Sequence, residues 1–260
     1  MIKDVLFRIN KGLLFRSYGI RLAKKRIVFG RLACLGRDVV KYAFQEYSNI
    51  QVVNQQKSRI DQETKIIEGA ARPKSALIKQ VLKRGYVYPL IQEQEMQPWI
   101  GKTSDLMIMD TFSELTDQLF YHKRFGWGFC SHYSDLNASH PDFSNFVCGG
   151  LLDETKVFGF YTGFFQKIKE KLGVKKIIII EFPTKFEVRE KYIRRGVSLS
   201  AALRSISSGD PSLRFIEIPS QYVLRSVDDN MPYHFSSRAA EYAGSIVKSI
   251  WQTSVSSGNV

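Results

Sequence analysis

The stretch Arg26-Ile-Val-Phe-Gly-Arg-Leu-Ala-Cys-Leu-Gly-Arg-Asp38, running on into Val39-Val-Lys-Tyr-Ala-Phe44, decides the fold class. A β-branched apolar run passes through glycine into a segment whose apolar residues recur at helical spacing, which predicts a strand, a tight turn and a helix. Outward from it lie three more apolar runs: Asp105-Leu-Met-Ile-Met-Asp110, Lys175-Lys-Ile-Ile-Ile-Ile-Glu181 and Arg214-Phe-Ile-Glu-Ile-Pro219. Unbroken isoleucines suit a strand buried on both faces, as in a parallel sheet covered by helices. Gln51-Val-Val-Asn54 reads as a further short strand. Helices are predicted over 74–84, stopping at Gly85, over 162–172, and over 236–251, where Ala239, Ala243, Val247 and Ile250 share one face. Strands alternating with helices predict an α/β protein, a three-layer α/β/α sandwich with a mainly parallel sheet.

With 260 residues, 44% of them hydrophobic, the chain can bury one large core. The predicted organisation is a basic amphipathic segment over 1–26 and a single α/β catalytic domain over 27–260. In the first segment Ile2, Val5, Leu6, Ile9 and Leu13 fall at helical spacing among Lys3, Arg8, Lys11 and Arg16. Such a helix either lies on an anionic membrane surface or packs on its own domain. The 38 Lys and Arg against 25 Asp and Glu give a net charge of +13, which concentrates anionic ligands. Cys34, Cys130 and Cys148 form no CxxC pair, so neither a disulfide framework nor a zinc site is indicated. No run approaches the roughly 20 apolar residues of a membrane span, and no signal peptide is recognisable. The expected location is cytoplasmic, with peripheral association at the inner face of the membrane through the N-terminal segment. No helix-turn-helix, zinc-finger or RNP pattern occurs, so nucleic acid is not the expected partner.

Open α/β sheets bind ligands beyond the carboxyl ends of their strands. The polar residues there are Cys34, Gly36, Arg37 and Asp38 after the first run, and Asp110, Thr111, Ser113 and Glu114 after the second. Asp228, Asp229 and His234 follow the last. A nucleophile, a histidine and an acid converging at such an edge is the arrangement of acyl transfer. His234, in a loop before the final helix, is the candidate base. His122, His132 and His140 occupy a loop-rich stretch without HExxH or another metal spacing, so no metal is expected.

Leu32-Ala-Cys-Leu-Gly-Arg-Asp38, the block from Asp105 to Glu114, Gly128-Phe-Cys-Ser-His-Tyr-Ser-Asp-Leu136 and Pro232-Tyr-His-Phe235 together resemble a bacterial polysaccharide-biosynthesis family with an SGNH-hydrolase-like fold. Capsule O-acetyltransferases are the nearest functional picture, and the resemblance spans roughly residues 27–250. It implies an acyl-enzyme, a histidine-activated nucleophile and acetyl-CoA as donor. Two departures stand out. Leu32-Ala33-Cys34 replaces the family's Gly-Ser-Cys turn, and Met231 stands where an Asp-x-x-His pair would place its acid.

Ser113 and Cys34 are the two candidate nucleophiles. Ser113 follows a buried strand at a strand-to-helix turn and needs only a placed base, so it is the first choice. Cys34 lies in an apolar context that keeps a thiol protonated. Asp229 is the first choice to orient His234, with Asp228 beside it; Asp110 lies nearer Ser113 and could instead be structural. The Gly36-Arg37 turn could supply an oxyanion or substrate contact. The expected activity is transfer of acetyl from acetyl-CoA to hydroxyls of an anionic capsular or related surface polysaccharide by Ser113, His234 and Asp229, possible complex partners being the capsule-synthesis machinery. The alternatives are a carbohydrate esterase with the same site and a non-catalytic basic module that binds polymers.

Removing residues 1–24 is expected to leave the domain folded, since they precede the first core strand; a cooperative thermal melt of the truncated chain checks this, and its loss would make the segment part of the core.

Overall fold

The computed structural model describes residues 25–227 and 231–256. The N-terminal amphipathic segment, up to residue 24, and the Asp228 and Asp229 assignments lie outside the described residues. A five-stranded sheet forms the centre. Its strands are β1 (Arg26–Arg31), β2 (Ile50–Asn54), β3 (Leu106–Asp110), β7 (Lys176–Ile180) and β8 (Leu213–Ile216). The order is β2-β1-β3-β7-β8 and every pairing is parallel. All five are strands that the apolar runs predict. Val28, Phe29, Met107, Ile108, Met109 and Ile177 through Ile180 are wholly enclosed, which is why these segments carry no polar alternation.

Helix α1 (Cys34–Phe44) joins β1 to β2 and packs along α8 (Ser237–Ser256). The crossovers from β3 to β7 and from β7 to β8 carry α6 (Val157–Leu172) and α7 (Glu190–Gly209). Helix α6 packs against both α7 and α2 (Ile60–Ile67). The chain leaves β1 in one direction across the sheet and β3 in the other, so right-handed crossovers put α1 on one face and α6 with α7 on the opposite one. The expected sandwich of helices around a parallel sheet is therefore the architecture found. The strand order reverses between β1 and β3, and their carboxyl ends form the topological switch point.

Several segments differ from their sequence-based reading, α2 among them, which no predicted element covers. The helix expected over 74–84 ends early, as α3 (Ser75–Lys79). Beyond it Lys83 N–H donates to the Asp135 carbonyl and Asn137 N–H to that of Val81, so the backbone is drawn into a bridge instead of a further helical turn. Helix α4 (Tyr88–Met96) follows with Pro89 in its first turn. The loop-rich stretch expected from His122 to His140, beyond the short helix α5 (Phe112–Thr116), contains the strand β5 (Gly128–Ser131), which joins β4 (Gln118–His122) and β6 (Phe146–Cys148) in an antiparallel sheet ordered β5-β4-β6. Its aromatic residues Phe120, Trp127, Phe129 and Phe146 build a second, smaller core. Helix α7 has no counterpart in the predicted elements, because Arg and Ser dilute a stripe made only by Tyr192, Leu199, Leu203 and Ile206.

A buried ion pair ties these layers together. Arg31, the last residue of β1, donates Nη1 and Nη2 to the two carboxylate oxygens of Glu114 at 2.6 Å each. Its guanidinium also donates to the carbonyl of Ser58 and, at 3.0 Å, to that of Asp110. Glu114 accepts in addition from Ile60 N–H at 3.0 Å and from Tyr161 Oη at 3.2 Å. Neither side chain reaches solvent by more than 2%. Desolvation opposes the Arg31 charge most strongly, yet the neighbouring Glu114 carboxylate more than offsets it and raises the guanidinium pKa.

Glu114→Ala is expected to lower stability by about 3–5 kcal/mol, because it strands the Arg31 charge in the core; chemical denaturation measures this, and a loss below about 1 kcal/mol would show the pair to be dispensable.

Candidate active site

At the switch point the ends of β1 and β3 are joined through one carboxylate. Asp110 Oδ2 accepts from Ala33 N–H at 2.7 Å and Oδ1 accepts from Phe112 N–H at 3.1 Å. The residue is 2% exposed, and burial pushes its acid up to about 6, against the pull of the two N–H donors and Arg31. Gly36, in the first turn of α1, rests directly on this carboxylate. A Cβ there would run into Asp110 Oδ2 and lie 2.8 Å from Leu32 Cδ2, so the close approach of helix to aspartate requires glycine.

This arrangement puts Cys34 at the first position of α1, half-buried, with Ala33 extended before it. Its Sγ–H points to the carbonyl of Tyr233 at 3.8 Å. Burial pushes the thiol up to about 11, and the charges of Asp110 and Asp38 act in the same direction. At neutral pH the sulfur therefore holds its proton until a base removes it.

Cys34 opens onto a cavity of about 570 Å³ between α1, α8 and the loop before α8. Leu35, Asp38, Lys41, Tyr42 and Gln45 line it from α1, and Ser237, Ala240 and Glu241 from α8. The loop contributes Ser226, Tyr233, His234 and Phe235. The structure thus brings Cys34 and His234 to one cavity although 199 residues separate the thiol from the adjacent Tyr233.

The loop is held in place by its own backbone. His234 N–H donates to the Met231 carbonyl at 3.2 Å, and the His234 carbonyl accepts from Ser226 N–H at 3.1 Å. Arg225 and Phe235 form a bridge, and Ser236 N–H donates to the Leu224 carbonyl at 2.9 Å. Aromatic packing finishes the anchor. The Tyr233 ring meets Phe112 edge-on at 5.4 Å and Phe182 at 5.8 Å, and Phe235 lies 5.6 Å from Phe182.

The other sequence candidates lie elsewhere. Ser113 does stand at a strand-to-helix turn, but it is 7% exposed and its Oγ accepts from Ser58 N–H at 3.2 Å; it is absent from the lining of the Cys34 cavity. Asp110 acts on the backbone of Ala33 and Phe112, which is a structural role. The Arg37 backbone N–H is taken by the Ala33 carbonyl at 3.0 Å, so it has no hydrogen to offer an oxyanion, and neither Gly36 nor Arg37 lines the cavity. His122 is packed among Phe125, Trp127 and Phe146, whereas the ring of His132 meets Ser134 Oγ at 2.9 Å. Among the described residues no three His, Cys, Asp or Glu side chains converge as metal ligands.

Sequence reasoning missed Tyr42, Lys41 and Glu241 in the cavity wall and Glu187 behind Tyr233. Tyr233 carried a signal in its place beside His234; the loop holding Glu187 has no periodicity to mark it. No helix among the described residues is long and apolar enough to cross a membrane.

No family model matches the chain, and no curated protein matches it. Among solved structures the chain is similar to a salicylyl-acyltransferase from a tetracycline biosynthetic pathway, at 11% identity and a TM-score of 0.42 over 89% of this chain and 55% of that one. It is similar to an acetyl xylan esterase from Butyrivibrio proteoclasticus, at 9% identity and a TM-score of 0.44 over 90% of this chain and 65% of that one. The catalytic domain of peptidoglycan O-acetyltransferase A from Streptococcus pneumoniae matches at 7% identity and a TM-score of 0.44, over 90% of this chain and 96% of that one. The chain thus spans 55% and 65% of the length of the first two.

The raised Asp110 acid fixes the sign of a pH effect. Between the ordinary value of 3.8 and about 6 the folded chain holds a proton that the unfolded chain releases, so Asp110's contribution to stability falls as pH rises through that window and is level above it. Asp110→Asn is expected to remove this slope. Melting temperatures of both proteins from pH 4 to 7 measure it, and parallel curves would overturn the assignment.

Proposed function

We propose that the chain transfers an acetyl group from acetyl-CoA to a hydroxyl of a capsular or related surface polysaccharide, with Cys34 as nucleophile and His234 as its base. The observation that supports this reading is the cavity that Cys34 and His234 share at the switch point of the sheet. The choice of Cys34 over Ser113 follows from the same geometry: a reacting carbonyl can reach a sulfur that opens onto a cavity, whereas the Ser113 hydroxyl is enclosed beside Ser58.

The raised thiol gives each group its task. His234 takes the proton from Cys34 Sγ as the sulfur attacks the acetyl carbonyl, forming the Sγ–C bond. Collapse of the adduct breaks the bond to the CoA sulfur, which leaves with the proton from the imidazolium. The sugar hydroxyl then attacks the thioester while His234 takes its proton, the new C–O bond forms, and Cys34 leaves and is reprotonated by the same imidazolium. The acid that orients His234 is proposed, as the sequence suggests, to be Asp229 or Asp228. The net charge of +13 concentrates an anionic polymer near the surface. Peripheral attachment to the membrane or to a capsule-synthesis complex is the corresponding proposal for the N-terminal segment.

Incubation with labelled acetyl-CoA and a panel of surface polysaccharides tests this reading. His234→Ala is expected to lower transfer by ~10²- to 10⁴-fold. Cys34→Ala is expected to abolish covalent label that Ser113→Ala retains. Label retained in Cys34→Ala and lost in Ser113→Ala would return the nucleophile to the serine, and release of acetate at one rate with and without polysaccharide would make the protein an esterase.

A further inference from the structure

Tyr233 is held at both ends. Its carbonyl accepts the Cys34 thiol hydrogen, and its phenol reaches to the loop between β7 and α7, where it donates to Glu187 Oε2. Glu187 is itself closely bound. Arg189 Nε donates to its Oε1 at 2.8 Å and Arg189 Nη2 to its Oε2 at 2.6 Å, while the backbone N–H groups of Val188 and Arg189 donate at 3.0 and 2.9 Å. Arg189 Nη2 also donates to the phenol oxygen at 3.2 Å. The Glu187 side chain is 1% exposed although the Arg189 side chain beside it is 47% exposed. These donors, Arg189 first, hold its acid down at about 2.

We infer that Glu187 and Arg189 are positioning residues, which by gripping the Tyr233 phenol fix the next residue, His234, relative to Cys34. This rests on the Cys34 and His234 reading above. Loop stability alone does not call for such a grip, because Phe112 and Phe182 already pack the Tyr233 ring and the Ser226 and Leu224 backbone already pairs with the loop. Apolar packing of a ring tolerates sliding and rotation, whereas a phenol bonded to a carboxylate that four other hydrogen bonds restrain has one position. Position matters at this distance from the chemistry, since a displacement of about 1 Å between reacting groups costs ~10²-fold in rate.

The test follows the chemistry of Cys34 and needs no substrate. The rate of Cys34 alkylation by iodoacetamide, read by peptide mass spectrometry so that Cys130 and Cys148 do not interfere, is measured well below the melting temperature. The proteins are the full chain, His234→Ala, Tyr233→Phe, Glu187→Ala and each of the last two combined with His234→Ala. Tyr233→Phe keeps the ring and removes only the grip, so it decides the matter if Glu187→Ala does not fold. The expected result is that His234→Ala and Tyr233→Phe each slow the reaction by about tenfold or more and that the double variant is no slower than His234→Ala alone, as for groups acting through one another. Effects that multiply, or an unchanged rate in Tyr233→Phe with only a lowered melting temperature, would overturn the positioning role and leave the Cys34 and His234 reading standing. An unchanged rate in His234→Ala would overturn both.

Discussion

The Arg31 guanidinium and the Glu114 carboxylate meet where no water reaches, and between them they touch β1, β3, the segment leading into α2, and helix α6. The backbone carbonyl of Glu114 extends the set to α7, since it accepts from Arg195 Nη2 at 2.8 Å. Enclosing two charges costs several kcal/mol for each ion, so the pair is a weak source of net stability. Its effect is on arrangement. An apolar pair of similar volume could pack in several ways, whereas a guanidinium and a carboxylate with directional bonds to four neighbours fit in one register.

That register is what places the site. Arg31 holds the Asp110 carbonyl, and the Asp110 side chain holds Ala33 N–H, so the ends of β1 and β3 are bonded to each other twice before α1 begins. Helix α1 then settles on the Asp110 carboxylate at Gly36, which sets where its first residue, Cys34, comes out. The same enclosure that makes Asp110 a good anchor leaves its charge poorly solvated, and that charge in turn helps keep the Cys34 thiol protonated. Anchor and sulfur are electrostatically opposed, so the proposed attack by Cys34 requires a base to take the thiol proton.

The proposed base, His234, comes from a part of the chain that the sheet does not organise. The loop before α8 gets its shape from short backbone pairings and from rings packed on Phe182, one step beyond the end of β7. It lines the cavity together with α1 and α8. A site assembled from one helix start and one anchored loop can be adjusted at the loop without disturbing the parallel sheet beneath it.

The strands of the parallel sheet were legible in the sequence because burial on both faces leaves an unbroken apolar run, and the β-branched run Ile177 through Ile180 suits a strand in a covered sheet. The small antiparallel sheet was not legible. Its strands are short, and their aromatic residues pack on each other instead of alternating against solvent. Helix α7 escaped for a related reason, its apolar stripe being thin where it lies on the sheet edge. At the site, local sequence was enough to mark Cys34, Ser113, Asp110 and His234 as residues near strand ends, but not to choose among them. Ser113 stands where a nucleophile would be sought, and yet its hydroxyl turns to Ser58, because the direction of a side chain at a turn depends on what packs over it. Which of those strand-end residues share a cavity is a long-range property, set by the meeting of β1 with β3 and by the return of the chain to α1 through α8, and only the tertiary structure decides it.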